Sequence, residues 1–324
     1  MKTKIVYTLV SNEQDYYLEQ AFVSIFSFRL YNSNAELLLV VDEETSKTLS
    51  HGIRKSILDY ISKLIVVNIP RAYSNLQKSR FIKTSLREII EGDFLFIDSD
   101  TIICDNLEEI DNMKEELLAV PDCHLSIKYS WMKNKIQKWS NLLNWKFSEN
   151  DYYFNSGVLF VKDTVTTHKF YEQWHLQWKK HLSNGVNYDQ PSLAKANETM
   201  NHVISKLDGI WNCQVNSNGL PYLMNSKIIH YFASGIGAKK DSPYQLLDKQ
   251  LFMRIKTDGY LNDEIKQLVL NAKSAFTPYC SIIGFYDAQF LFSRTYWLYA
   301  QHPTAYKCID TLSRIILFIS HLIK

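Results

Sequence analysis

"GDFLFIDSDTIICDN", residues 92–106, runs four apolar or aromatic residues, Phe94 to Ile97, straight into two aspartates that flank a serine. In an extended strand, Asp98 and Asp100 point to one side and Ser99 to the other. Two carboxylates side by side at the end of a buried strand repel each other and lose solvation. The pattern asks for a positive partner there, and hard divalent cations prefer carboxylate oxygens. The competing reading makes Asp98 or Asp100 a cap of the turn after the strand.

Before this stretch, strand-like and helical patterns alternate. "KIVYTLVS" (4–11), "AELLLVVD" (35–42) and "KLIVVNIP" (63–70) read as strands, and "DYYLEQAFVSIFSFRLYN" (15–32) carries helical spacing at Leu18, Phe22, Ile25 and Phe26. A helix to about Ser62 and another around 78–91 fill the remaining intervals. Short, continuously apolar strands separated by helices predict an α/β, Rossmann-like, mostly parallel sheet flanked by helices. Such a sheet places its ligand crevice outside the carboxyl ends of the strands, where Asp98 and Asp100 sit. "YTLVSNEQDYY", after the first strand, contains no glycine, which argues against a dinucleotide-dependent dehydrogenase. Further strands are expected at "LLAVPD" (117–122) and "YFNSGVLFVK" (153–162), with a helix at "THKFYEQWHLQWKKHL" (167–182), and "KIIHYFASG" (227–235) lies near the end of the core.

At 324 residues, with 46% hydrophobic and 14% aromatic content, the chain has ample core. The formal net charge of +2 argues against nucleic acid as a partner. Five cysteines, none within four residues of another, make neither a disulfide framework nor a zinc ribbon and fit a reducing compartment. The N-terminus reads as a strand rather than a signal peptide, and no run approaches the ~20 apolar residues of a membrane span. The expectation is a cytoplasmic protein, with peripheral contact at the inner face of the membrane left open.

Four motifs in order resemble glycosyltransferase family 8, whose members have the GT-A fold. They are "KSRFIKTSLREIIEGDFLFIDSDTII" (78–103), "FNSGVLFVK" (154–162), "NYDQPSL" (187–193) and "IIHYFASG" (228–235). The resemblance spans roughly residues 4–240 and implies a retaining, metal-dependent transferase that moves a hexose from a UDP-sugar to a saccharide or glycolipid hydroxyl. It implies a GT-A catalytic domain over 1–245 (nucleotide-binding half 1–110, sugar and acceptor half 111–245) and a helical C-terminal extension over 246–324.

By the same resemblance, Asp98, Asp100 and His230 would bind the metal, Mn2+ in preference to Mg2+ because of the imidazole. Asp189 and Gln190 would stand beside the reacting sugar, with Asp189 as helix N-cap an alternative that is compatible with this. Asn155 and Gly157 would border the donor sugar. Arg80, with Lys78 as a weaker candidate, would face the diphosphate or ribose. Thr8, Val10, Ser11, Ser99 and Tyr16 (or Tyr17) would hold the nucleotide. Where the family often has Gly-x-x-Lys-Pro-Trp, this chain reads "ASGIGAKKDSPY". Gly235 is present and Lys239 or Lys240 would have to substitute for the phosphate lysine, while Pro-Trp is missing.

Trp131, Trp139 and Trp145 lie in a basic segment and suggest either an acceptor lid or an amphipathic helix that buries them. Trp174 and Trp178 read as core. Near the C-terminus Ile309, Leu312, Ile316, Ile319 and Ile323 form a stripe flanked by Lys307, Arg314 and Lys324. A helix packed on the core is the default for that stripe, with a membrane surface or a homodimer contact as alternatives. Two rival functions stand against the transferase. One is a non-catalytic nucleotide-sugar or saccharide-binding protein on the same scaffold. The other is a haloacid-dehalogenase-type phosphatase using Asp98, which lacks the usual glycine after its Asp-x-Asp.

Overall fold

Strand β2 (Leu37–Asp42) is buried along its whole length, as a central strand of a parallel sheet must be. It pairs in parallel with β1 (Lys4–Leu9) on one side and β3 (Lys63–Val67) on the other, and β1 pairs in parallel with β4 (Phe94–Ile97). The computed structural model describes residues 1–50, 52–215, 217–231, 244–276 and 293–322. Its central sheet has seven strands, ordered β3-β2-β1-β4-β7-β6-β8, where β6 is Leu117–Ser126, β7 is Tyr152–Val161 and β8 is Ser205–Lys206. Strand β7 is inserted antiparallel between β4 and β6, so the sheet is mixed on that side. A second sheet, ordered β5-β10-β9, joins β5 (Thr101–Ile103), β9 (Cys213–Gln214) and β10 (Ile228–His230).

Side-chain alternation sends Ile5, Tyr7 and Leu9 of β1 into one core and Val6 and Val10 into the other. Helix α1 (Tyr17–Tyr31) covers the first face. The second face is covered by α2 (Asn75–Thr84) and, beyond a third helix α3 (Lys133–Leu143), by α4 (Val165–Ser183) and α5 (Gln190–Thr199). Two capping boxes fix where the covering helices start: Ser74 with Gln77 for α2, and Thr164 with Thr167 for α4. Trp174 and Trp178 are fully buried, as expected of core residues.

Helices α6 (Lys249–Asp258) and α7 (Asp263–Leu270) bury Leu251, Phe252, Ile255, Ile265 and Val269 in the same core as β1 and α1. Helices α8 (Arg294–Gln301) and α9 (Pro303–Leu322) pack on each other. Here the default expectation fails. Ile309, Leu312, Ile316 and Ile319 are 40%, 61%, 59% and 48% exposed, so the apolar stripe of α9 is not laid on the core. Ile323 and Lys324 lie outside the described residues. No described helix is long and apolar enough to cross a membrane.

Trp139 and Trp145 stack on either side of Tyr153, with ring centroids 6.2 and 6.3 Å away, in a small separate core. Of the three tryptophans in the basic segment, Trp131 alone stays half exposed.

Candidate functional site

The two aspartates do not extend β4. That strand ends at Ile97, and Asp98–Ser99–Asp100 form the link by which the chain leaves the large sheet and enters β5 of the small one. Asp98 N–H donates to the Gly157 carbonyl of β7 (2.8 Å), and Thr101 Oγ1 donates to the Asp98 carbonyl (2.8 Å). Freed from strand alternation, Asp98, Ser99 and Asp100 all line one cleft of about 190 Å³. The antiparallel pairing of β5 with β10 then sets His230 beside Thr101, next to Asp100. One ligand atom from each of Asp98, Asp100 and His230 falls within a 4.8 Å span.

Hydrogen bonds fix how His230 presents its ring. Gly157 N–H can only donate, and it points at Asn155 Oδ1 (2.9 Å), which identifies that atom as the amide oxygen. Asn212 Nδ2 therefore donates to the same oxygen (3.0 Å), and Asn212 Oδ1 is left to accept from His230 Nδ1–H (2.9 Å). With that proton on Nδ1, Nε2 is the nitrogen that faces Asp100 Oδ1, 3.2 Å away, so the ring can offer Nε2 to a cation shared with the carboxylate. A carbonyl-type partner on the far nitrogen is also how metal-bound histidines are usually oriented. The donor set, two carboxylates and an imidazole, suits Mn2+ better than an all-oxygen site would.

Gly157 leaves room for this ring. A Cβ there would lie 2.3 Å from His230 Cε1 and 2.9 Å from its Nδ1. Asn155 is likewise buried, and its amide nitrogen donates to Asp122 Oδ1 (2.9 Å). Asp122 stands at an irregularity of β6, followed by Cys123 and His124, both in left-handed backbone at φ 58°. Burial raises the Asp122 carboxyl above its ordinary range, although hydrogen bonds from Asn155 and Gln190 oppose the shift.

Asp189 occupies the N-cap position of α5 but makes no side-chain cap. Its carboxylate instead meets Arg80 Nε (2.9 Å) and Lys83 Nζ (3.2 Å) of α2, and it accepts from Ser156 Oγ (2.8 Å). Burial favours protonation, but Lys83 and Arg80 outweigh it and hold Asp189 well below the usual carboxylate range. Lys83 also donates to both Asp98 oxygens, at 3.2 and 3.0 Å. One buried ammonium thus joins Asp98 to Asp189. Burial, followed in order by an opposing pull from Lys83 and repulsion from Asp100, leaves Asp98 raised.

Of the residues expected at a nucleotide, Thr8, Val10, Arg80 and Ser99 line the cleft. Tyr16 does not; Tyr17 does, half exposed. Tyr16 turns instead toward Lys256, whose Nζ sits 4.8 Å from its ring centroid. Ser11 is buried behind the cleft, with its hydroxyl on Asp15. Lys78 faces away and pairs with Asp42 and Glu44. Gly235, Lys239 and Lys240 lie outside the described residues. Sequence reasoning missed Lys83, Asp122, Ser156 and Asn212. Lys83 had one available signal, since it stands three residues after Arg80 and so shares its helix face.

A model of the family described as Glycosyl transferase family 8 matches residues 8–240. Solved structures share the fold. One is the galactosyltransferase LgtC in complex with donor and acceptor sugar analogues, at 14% identity and TM-score 0.52, covering 82% of this chain and 99% of that one. An active-site mutant of LgtC aligns at 14% identity and TM-score 0.54, with the same 82% and 99% coverage. The apo WbbM bifunctional glycosyltransferase aligns at 15% identity and TM-score 0.54, covering 82% of this chain but 51% of that one. The chain thus spans about half the length of WbbM. No curated protein sequence matches it.

Proposed function

This chain belongs to glycosyl transferase family 8, and from that premise we propose that it moves a hexose from a UDP-sugar to a saccharide or glycolipid hydroxyl with retention of configuration. The observation that carries the proposal is the convergence of ligand atoms of Asp98, Asp100 and His230 within 4.8 Å, where Asp98 and Asp100 line a cleft together with Thr8, Val10 and Arg80. These three residues would hold a divalent cation, which when bound neutralises the diphosphate leaving group. Arg80 faces the same cleft and adds a fixed positive charge that needs no reorganisation as negative charge develops.

Lys83 and Arg80 hold Asp189 well below the usual carboxylate range, so it is ionised at neutral pH. That favours an electrostatic or sugar-positioning role over proton transfer. Its engagement with two cations also lowers its nucleophilicity, which supports a same-face displacement over a covalent route through Asp189. Gln190, in hydrogen-bonding reach of Asp122, completes the polar wall on the sugar side. The preserved Asp-Asp-His convergence favours catalysis over the binding-protein alternative.

We also propose that the exposed apolar face of α9 rests on the inner surface of a membrane, which suits a lipid-linked acceptor. The donor reading is tested by thermal shift. At one hundred times its Kd a ligand stabilises by about 2.7 kcal/mol, a rise of a few degrees. UDP-hexose should give that rise with Mn2+ and none with a chelator, and Asp98→Ala or Asp100→Ala should abolish it. A wild-type chain that shows no shift with donor and metal together refutes the assignment. A shift with no UDP release across an acceptor panel favours the binding protein.

A further inference from the structure

The strand-to-helix loop after β1 enters and leaves the cleft: Val10 before it and Tyr17 after it both line the wall. Between them, residues 11–16 are held from two sides. Arg54 grips the inner half, with Nη1 donating to the Asn12 carbonyl and Nη2 to Ser11 Oγ, both at 3.1 Å. The outer half is gripped by Lys256 of α6, a helix beyond the stretch that the family model matches. Its ammonium donates to the Glu13 carbonyl at 2.7 Å and to the Asp15 carbonyl, and it faces the Tyr16 ring. It also lies 4.0 Å from Glu19 Oε1. Glu19 is fully buried, and neither of its oxygens has a hydrogen-bond partner among the described residues.

We propose that Lys256 is a positioning residue for the nucleotide end of the donor: from the C-terminal extension, it fixes the loop whose two ends form the cleft wall. The inference rests on the donor reading of the cleft given above. Short surface loops open at low free-energy cost unless tied down. A loop already held in its bound conformation spares the ligand the cost of ordering it. Tyr17 depends on the loop directly, because its N–H donates to Asp15 Oδ1 at 3.1 Å and the Asp15 carbonyl is one that Lys256 holds. Because the clamp's partners are Glu13, Asp15, Tyr16 and Glu19, and not Asp98, Asp100, Asp189 or His230, its loss should weaken donor binding and leave the chemical step alone.

Lys256→Met keeps the aliphatic stem and removes the charge, whereas Lys256→Arg keeps the charge and the donors. In the full chain, Lys256→Met should raise the donor KM about tenfold, the scale of one or two lost charge-assisted hydrogen bonds. kcat and the acceptor KM should stay within about twofold, and Lys256→Arg should recover most of the loss. Without any ligand, amide exchange of residues 11–17 should quicken in Lys256→Met while that of the central strands does not. An unchanged donor KM overturns the proposal, as does unchanged exchange in the loop. So does a parallel loss of kcat, acceptor KM and thermal stability, which marks a merely structural lysine. If exchange quickens as expected but the wild type binds no UDP-sugar, the donor reading has failed. The link from Lys256 to donor affinity then falls with it.

Discussion

At the scale of single residues, the site depends on hydrogen-bond direction as much as on residue type. Asn212 is chemically remote from any reaction, yet it decides which nitrogen of His230 carries the proton. Asn212→Leu leaves the ring free to take the other tautomer and should cost about 10–100-fold in metal affinity, the usual effect of losing an outer-shell partner. Gly157→Ala should weaken the site in the same direction, because its methyl group displaces the His230 ring. Isothermal titration of Mn2+ checks both, with melting temperature as the control for folding. Asp98, Asp100 and His230 were legible in the sequence because their chemistry is written in residue type and in motifs of known order. Asn212 and Asp122 were not, since an asparagine that steers a tautomer and an aspartate at a strand irregularity look ordinary until the chain is folded.

At the scale of elements, the continuously apolar strands correctly indicated a sheet covered on both faces, but treating Asp98–Asp100 as a continuation of the strand was wrong, because β4 ends at Ile97. Pairing of β5 with another sheet overrode the local pattern, and nothing within residues 92–106 specifies that partner. Three histidines on β6 and α4 carry a further consequence. Burial first, with nearby lysines adding to it, lowers His175 and His181 from the usual 6.5 to about 4. Burial lowers His124 to about 4 as well, against a small opposing pull from Asp208. Each is neutral when folded and takes up a proton when unfolded across that interval, so the unfolded state binds more protons there. Their contribution is complete above about pH 6.5 and is lost as pH falls toward about 4. Urea midpoints should decline across this window, and His175→Gln should flatten the decline by one proton's share. His175 is the informative position, because its Nδ1 meets Thr84 Oγ1 at 2.7 Å and ties α4 to the helix that bears Arg80 and Lys83.

At the scale of the molecule, the consecutive helices α8 and α9 leave an apolar surface uncovered: Ile315, Ile316, Leu317 and Phe318 of α9 are all more than half exposed. Trp297 and Tyr299 of α8 add aromatic surface of the kind found at bilayer interfaces. Anionic liposomes should pellet the full chain and not one truncated after residue 292. Equal pelleting of both removes the membrane reading, and a concentration-dependent dimer of the full chain replaces it. The sequence showed the apolar stripe but not its exposure, because a period of three to four is shared by helices on a core and helices on a membrane. The link at residues 98–100 bears on how the molecule comes together. Asp98 and Asp100 follow the end of the large sheet, while His230 arrives 130 residues after Asp100 on the small one. A chain that has formed only the first sheet owns no complete cation site. If the proposed cation site is right, cation capture during refolding should follow the docking of the second sheet, a long-range pairing expected to be slow, and a ligand of this site should stabilise only the fully joined molecule.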